Sequence, residues 1–486
     1  MGPQFDPIAS WHEPAVVRVG DASDALTGVP VASAGAVPER LGVDRDALAA
    51  LGFDGERGQH LPLRDRDGKP VIAYGIGDPE SLDAAAIRQA AGDFAKVAEA
   101  RGLAFGFPEG ADTDAAVTAA VEGVLLARYR PGLLQTTPSG TPLDELTILT
   151  GHARAAAAQR GAILARATAL SRDLANSPPS MLTAERLAEV AEGLAAECGW
   201  SVETFDKAAL AELGCGGLLG VNAGSVDEPR MIKIRYEGPA DAPKLALVGK
   251  GIMYDSGGIA LKPADAVHAT MKNDMSGAGS ILAAMAVLKS LDCPTTVTAY
   301  LMCTDNMPSG SATKLGDVLV MRGGKTVEVI NTDAEGRLVM ADALVLAGEE
   351  AVDAIVDMAT LTGACLRALG AQIAGVFGNH QGLVDQVLAC AESSGEPAWQ
   401  LPLARRYRHE LDSDVADIKN MGGPNAAAIH AALFLDEFTG GRPWAHVDIA
   451  GTAQTDTAGS WRTPGCTGFG ARMLAELACG FRQPKD

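Results

Sequence analysis

The sequence predicts an α/β protein with two domains. The first observation is length, because 486 residues are too many for one hydrophobic core of ordinary size. The second is alternation: β-branched apolar runs such as "KLALVGKGI" are followed by helical stretches such as "SGAGSILAAMAVLKSL". This spacing is typical of a sheet covered by helices on both faces. We therefore predict a smaller N-terminal α/β domain and a larger C-terminal α/β domain with a mixed, mostly parallel central sheet flanked by helices.

The N-terminal part alternates strand-like runs ("PAVVRVG", "PVIAYGIG") with Ala-rich helical stretches ("SLDAAAIRQAAGDFAKVAEARG"). A further strand then leads into a long helix, which we expect to end at Asn176 because Pro178 and Pro179 follow. We place the domain boundary on this helix, giving domains of residues 1–170, including the linking helix, and 171–486.

The C-terminal part contains three runs that read as buried strands: "KLALVGKGI", "TTVTAYLMC" and "DAIVDMAT". In sheets with parallel strands, ligands bind beyond the carboxyl ends of the strands. The residues that follow these runs are therefore the first candidates for a functional site.

Composition excludes several function classes. The formal net charge of −21 would repel phosphate backbones and anionic membrane surfaces, so nucleic acid is an unlikely partner. The N-terminal residues lack the continuous apolar run of a secretory signal, and no other run is long enough to span a membrane, so we expect a cytoplasmic protein. HExxH, GxSxG and P-loop motifs are absent from the sequence.

Four acids lie where strands end or helices begin: Asp255, Asp274, Asp333 and Glu335. Asp274 could instead be a helix N-cap. In "NTDAEGR", an extended chain would place Asp333, Glu335 and Arg337 on one face. The alternative is a capping cluster, in which Asn331 or Thr332 caps the helix and the acids complement its dipole, but this gives Arg337 no role.

If the four acids converge, they would repel one another and raise one another's pKa values. Two divalent cations would neutralise them. Dinuclear sites of this kind catalyse hydrolysis by generating a hydroxide and polarising a carbonyl or phosphoryl group.

Six segments resemble the motifs of the leucyl aminopeptidase (cytosol aminopeptidase) family of dinuclear metallo-exopeptidases, in the family's order. They are "VGKGIMYDSGG", "MKNDMSGA", "NMPSGSA", "NTDAEGRLVMADAL", "DMATLTGAC" and "PWAHVDIAGTA". The resemblance covers roughly residues 170 to 475, and its motifs are highly specific. The first 150 residues resemble the family only in length and general α/β character.

The resemblance implies two divalent metal ions, Mn²⁺ or Zn²⁺ with Mg²⁺ as a further option. The implied metal ligands are Lys250, Asp255, Asp274, Asp333 and Glu335. A lysine ligand must lose its proton, which a nearby dication favours; the alternative for Lys250 is an ion pair with these acids. Lys262 would polarise the scissile carbonyl, and Arg337 would hold a bicarbonate that acts as general base.

The resemblance also implies the substrate: a peptide with a free N-terminus, whose amine binds one metal and Asp274. Met271, Thr360, Gly363 and Ala450 would line an apolar pocket for a leucine-like first residue, although Met271 could belong to the core. The family's usual assembly is a homohexamer, a dimer of trimers. Two alternatives remain open: a dinuclear phosphatase using the same acids, and a DNA-binding protein, which the negative charge disfavours.

Overall fold

The computed structural model describes residues 5–22, 24–130, 134–136 and 140–485. Contacts divide the chain into two compact units. One comprises Met1–Ala169 with Thr455–Gly465, and the other comprises Leu170–Gln454 with Cys466–Asp486. The division falls within a long helix, Ala155–Asn176, which ends at Asn176 as predicted.

The first unit contains a mixed sheet. Its six described strands are β1 (Val16–Val19), β2 (Leu26–Ala32), β3 (His60–Arg64), β4 (Pro70–Gly77), β5 (Gly102–Gly106) and β6 (Glu145–Leu149). The strand order is β1-β6-β5-β2-β4-β3, and neighbours are parallel except β3 and β4. The helices are α1 (Ala9–His12), α2 (Arg45–Ala50), α3 (Ala84–Val97), α4 (Asp114–Ala127) and α5 (Ala155–Asn176).

The core of this unit packs helices α3 and α4 against the sheet. Tyr74 of β4 stacks on Phe105 of β5 with ring centroids 5.0 Å apart, an arrangement that adds to the stabilisation from apolar burial. Arg88 of α3 and Glu122 of α4 form a buried ion pair at 2.6 Å. Pairing is what makes burial of these two charges tolerable.

The second unit is built on an eight-stranded sheet in the order β15-β14-β17-β13-β9-β10-β8-β7, counted over the described residues. The strands of this sheet and of a three-stranded ladder are β7 (Ser201–Phe205), β8 (Arg230–Tyr236), β9 (Lys244–Asp255), β10 (Thr296–Asn306), β11 (Val318–Val320), β12 (Thr326–Glu328), β13 (Ala354–Ala359), β14 (Ala374–Gly378), β15 (Ala398–Gln400), β16 (Ile418–Lys419) and β17 (Trp444–Asp448). A two-stranded ladder, β18 (Gln454–Thr455) and β19 (Gly465–Cys466), lies at two of the points where the chain passes from one unit to the other. The four central strands, β17, β13, β9 and β10, are parallel.

Helices cover both faces of this sheet. They are α6 (Ala184–Cys198), α7 (Lys207–Glu212), α8 (Gly216–Asn222), α9 (Ser276–Val287), α10 (Gly336–Glu349), α11 (Gly363–Leu369), α12 (Gln381–Ser394), α13 (Ala427–Asp436) and α14 (Ala471–Gly480). Strand β9 is buried along nearly its whole length, and every residue of α9 is buried. A strand buried on both faces reads as a continuous apolar run, so the predicted fold class is confirmed.

The carboxyl ends of the four parallel strands lie at one edge of the sheet. Strand β9 ends at Asp255, β10 at Asn306, β13 at Ala359 and β17 at Asp448. This is the edge at which parallel sheets bind ligands. Among the described residues, no helix combines the length and apolarity needed to cross a membrane.

Candidate active site

Lys250 lies at the centre of one group of acids. Its side chain extends from β9, and Nζ lies 2.9 Å from Oδ2 of Asp274 and 2.8 Å from Oε1 of Glu335. Nζ also donates a hydrogen bond to the carbonyl of Thr360 at 2.9 Å. All three charged side chains are buried, so their charges act on one another with little screening.

Lys262 lies at the centre of a second group. Its Nζ is 2.8 Å from Oδ2 of Asp255 and 2.6 Å from Oδ1 of Asp333. The loop after β9 returns the lysine to these acids through Gly257 and Gly258, whose φ angles are +90° and +66°. A Cβ on Gly257 would lie 2.5 Å from the carbonyl oxygen of Ala260, so this turn requires glycine.

The acids around Lys250 and those around Lys262 lie close together. One carboxylate oxygen each from Asp255, Asp333 and Glu335 lie within 4.8 Å of one another. Oε2 of Glu335 is buried and has no hydrogen-bond partner among the described residues. Converging carboxylate oxygens fit a divalent cation, because such ions prefer oxygen ligands and offset the cost of burying like charges.

The pKa values reflect this crowding. Burial, followed by the charges of Glu335 and Asp274, raises the pKa of Asp255 to about 8. Burial also raises the pKa of Asp274 to about 6, although the charge of Lys250 opposes it. Burial also tends to raise the pKa of Glu335. The charge and hydrogen bond of Lys250 outweigh this effect, so the pKa of Glu335 is lowered. The charged form of Asp255 would therefore be stabilised by a neighbouring dication.

Two sequence interpretations of this region are wrong. Residues 332 and 333 form a turn, so the chain is not extended from Asp333 to Arg337. Neither Asn331 nor Thr332 caps α10: the Asn331 side chain accepts a hydrogen bond from the backbone N–H of Asp333, and the Thr332 hydroxyl donates to the Gly257 carbonyl. Both side chains therefore shape the loop that carries Asp333.

Asp274 is not an N-cap either. The residue preceding α9 is Met275, which makes no side-chain cap, and Asp274 ends up in a 3₁₀ segment, His268–Met275. Its side chain is turned to Lys250 and Thr360 instead. The Asp274 carboxylate therefore pairs with the buried Lys250 and does not cap the helix.

Arg337 occupies the first turn of α10 and is buried. Its Nη1 donates to the carbonyl of Asn420 at 2.8 Å, whereas Nε has no hydrogen-bond partner in the part of the chain that the structure describes. Burial lowers the pKa of Arg337 to about 10, against the opposing charges of Glu335 and Asp448. A buried cation with an unsatisfied donor fits a small anion.

Three of the four predicted pocket residues follow the neighbouring strands β13 and β17. Thr360 comes directly after β13, Gly363 begins α11, Ala450 lies beyond β17, and Met271 lies in the 3₁₀ segment. Gly363 is exposed and Met271 is half-buried, which disfavours the alternative that Met271 is an ordinary core residue.

Two residues that sequence reasoning missed organise this edge. Nδ2 of Asn306 donates to Oδ1 of Asp255 at 2.8 Å and to the Thr332 carbonyl at 2.9 Å. Asp448 accepts from the Thr362 hydroxyl at 2.7 Å and from the Ala450 backbone N–H at 3.0 Å. Both residues end parallel strands. They also lie within two of the family-like motifs, "NMPSGSA" and "PWAHVDIAGTA", and these positions could have identified them as site residues.

Comparison with known families gives two matches. The model of the cytosol aminopeptidase family catalytic domain matches residues 169–475, and that of the family's N-terminal domain matches residues 30–138. The N-terminal region therefore also matches the family, beyond the resemblance in length and general α/β character that we expected for the first 150 residues.

Individual relatives of the chain point to the same family. A probable cytosol aminopeptidase of Streptomyces coelicolor is 43% identical over 467 residues, covering 90% of each chain. One from Leifsonia xyli subsp. xyli is 44% identical over 474 residues, covering 93% of each. A solved structure, the bottromycin maturation enzyme BotP in complex with Mn, is 35% identical with a TM-score of 0.88, covering 94% of this chain and 99% of its own. The chain belongs to the cytosol aminopeptidase family of metallo-exopeptidases.

Proposed function

We propose that this protein releases leucine-like N-terminal residues from peptides, using two divalent metal ions, Mn²⁺ or Zn²⁺, in each subunit. The observation that carries this is the convergence of the carboxylates of Asp255, Asp333 and Glu335 beside two buried or half-buried lysines. The Mn-bound structure of the similar enzyme BotP supports Mn²⁺ as a suitable ion.

We assign the three converging carboxylates, together with the neighbouring Lys250 and Asp274, as the metal ligands. Lys250, Asp255, Asp274 and Glu335 would hold one ion, and Asp255, Asp333 and Glu335 the other. The ions would lower the pKa of water and polarise the scissile carbonyl. Lys250 would serve as a neutral ligand only after losing its proton, and the charge of the ions would then take over from that proton in neutralising Asp274 and Glu335.

The remaining polar groups bind and orient the substrate. Lys262 lies between Asp255 and Asp333, so its ammonium can stabilise negative charge that develops on the substrate carbonyl oxygen. Asp274 would receive the free N-terminal amine, which restricts binding to chain ends. Met271, Thr360, Gly363 and Ala450 would line the pocket for the first side chain.

Arg337 would hold a bicarbonate ion that supplies the general base. Its unpartnered Nε supports this role, because a buried donor without an acceptor costs about 1–3 kcal/mol unless an anion satisfies it.

A substrate comparison tests the function. Metal-free protein supplied with Mn²⁺ should cleave leucine p-nitroanilide, but neither its N-acetylated form nor p-nitrophenyl phosphate. Cleavage of the N-acetylated compound would contradict the role of the free amine. Hydrolysis of the phosphate ester alone would instead favour the phosphatase.

We also propose that the chain assembles as a homohexamer and acts in the cytoplasm on peptides. Light scattering coupled to size-exclusion chromatography should give a mass six times that of the chain, and cell fractionation should place the protein with cytoplasmic markers. The strongly negative net charge makes duplex DNA an unlikely partner, and a gel shift at physiological salt would contradict this.

A further inference from the structure

Thr360 contacts both members of the buried Lys250–Asp274 pair. Its hydroxyl donates to Oδ1 of Asp274 at 2.6 Å, and its backbone carbonyl accepts from Nζ of Lys250 at 2.9 Å. The residue is 8% exposed. One residue at the end of β13 thus holds an acid and a base that lie on other elements.

The backbone fixes this arrangement. Gly277, in the first turn of α9, packs so closely on the end of β13 that a Cβ there would lie 2.1 Å from the carbonyl oxygen of Met358. This approach places the segment preceding α9 beside the residue that follows β13. The packing of α9 on the sheet therefore brings the backbone of Asp274 close to Thr360.

The hydroxyl completes the restraint on Asp274. Oδ2 of Asp274 lies 2.9 Å from Nζ of Lys250, so the two oxygens of the carboxylate have different partners. An O–H donor to a carboxylate is a strong hydrogen bond at this distance. It also adds no charge, so it can orient the acid without competing with a cation for it.

We propose that Thr360 is a positioning residue, whose hydroxyl sets the orientation of the Asp274 carboxylate for metal and substrate amine. This inference rests on the proposed function, and it differs from a role for Thr360 as pocket wall alone. A wall needs only the shape of the side chain, whereas positioning needs the hydroxyl.

Two substitutions separate these roles. Thr360→Val keeps the branched shape and removes the hydroxyl, while Thr360→Ser keeps the hydroxyl and removes a methyl group. Loss of a group that orients a ligand typically costs about 10–100-fold in metal affinity or activity. We expect a loss of this size in Mn²⁺ affinity and in kcat for Thr360→Val, with Thr360→Ser within about threefold of the wild type.

The measurement is titration calorimetry of metal-free protein with Mn²⁺, alongside kcat and KM for leucine p-nitroanilide. Wild-type Mn²⁺ affinity in Thr360→Val, or a change confined to KM, would overturn the proposal. If the valine variant does not fold by circular dichroism, Thr360→Ala against Thr360→Ser gives the same comparison. Calorimetry needs no turnover, so a wild-type protein that binds Mn²⁺ but cleaves no peptide would refute the proposed function and leave the Thr360 result interpretable.

Discussion

Nζ of Lys250 lies 2.8 Å from Oε1 of Glu335, and both side chains are 3% exposed. Within the described ranges, the other carboxylate oxygen of Glu335 has no hydrogen-bond partner. Glu335 therefore compensates the buried charge of Lys250 with one oxygen, and the second oxygen is the one that our proposal assigns to a cation.

Glu335→Ala should abolish metal binding and activity. The substitution removes an oxygen ligand and leaves Lys250 with one acid fewer. A buried charge that loses its partner typically costs about 3–5 kcal/mol, so the metal-free variant should also unfold at a lower temperature. Elemental analysis after dialysis against Mn²⁺ measures the first effect, and full occupancy in the variant would contradict the ligand assignment.

Lys262→Ala should retain metal and lose turnover. The lysine is a cation beside Asp255 and Asp333, so its removal leaves both acids more available to a dication. Removing one stabiliser of a developing oxyanion costs about 10²–10³-fold in kcat. Metal content and kcat should be measured on the same sample, and loss of metal would contradict the assigned role.

Asn306→Ala should weaken metal binding without unfolding the protein. Its amide fixes one oxygen of Asp255, and the loss of such an orienting donor costs about 10–100-fold in metal affinity. Asn222→Ala is a matched control, because Asn222 is equally buried and donates instead to the Asp227 carbonyl and the Thr304 hydroxyl. Equal Mn²⁺ affinities for the two variants would show that Asn306 has no special relation to the metal.

Asp342 should make stability depend on pH. Burial raises its pKa to about 7, although the backbone N–H groups of Leu218 and Arg322 donate to its carboxylate. An unfolded aspartate has a pKa near 3.9, so between about pH 4 and pH 7 the folded state holds the extra proton. Stability attributable to this group is therefore lost as the pH rises through that window.

Asp342→Asn cannot titrate, so it should not lose this contribution. Relative to the wild type, its free energy of unfolding should therefore rise by about 2–4 kcal/mol across the window. Thermal unfolding of chelator-treated protein at pH 4.5, 6 and 8 measures this, with exposed Asp385→Asn of α12 as the control. Parallel pH profiles for wild type and Asp342→Asn would show that Asp342 is ionised in the folded state throughout.

Sequence predicted most of the fold because strands buried on both faces, such as β9, read as continuous apolar runs. It also placed Asp255 correctly at the end of β9, whereas Asp274 lies in a 3₁₀ segment and Asp333 follows β12, which belongs to a smaller ladder and not to the central sheet. The sequence-based prediction failed where interacting residues are distant in sequence. Asp274 resembles a helix N-cap from its local sequence, but in the fold its side chain contacts Lys250 and Thr360. The turn at Thr332 and Asp333 was missed for the same reason, because it is held by contacts to Gly257 and Asn306.

Activity should depend on bicarbonate through Arg337. The guanidinium is buried, its Nη1 is held by the Asn420 carbonyl, and its Nε is left unpartnered, so a small anion can satisfy it. A positioned general base contributes about 10²–10⁴-fold, so wild-type kcat should fall in bicarbonate-depleted buffer and recover when bicarbonate is added back. Arg337→Met, which keeps an unbranched side chain but no donor, should have low kcat in both buffers and unchanged Mn²⁺ content. Recovery of Arg337→Met with bicarbonate, or a wild-type rate indifferent to it, would locate the base elsewhere.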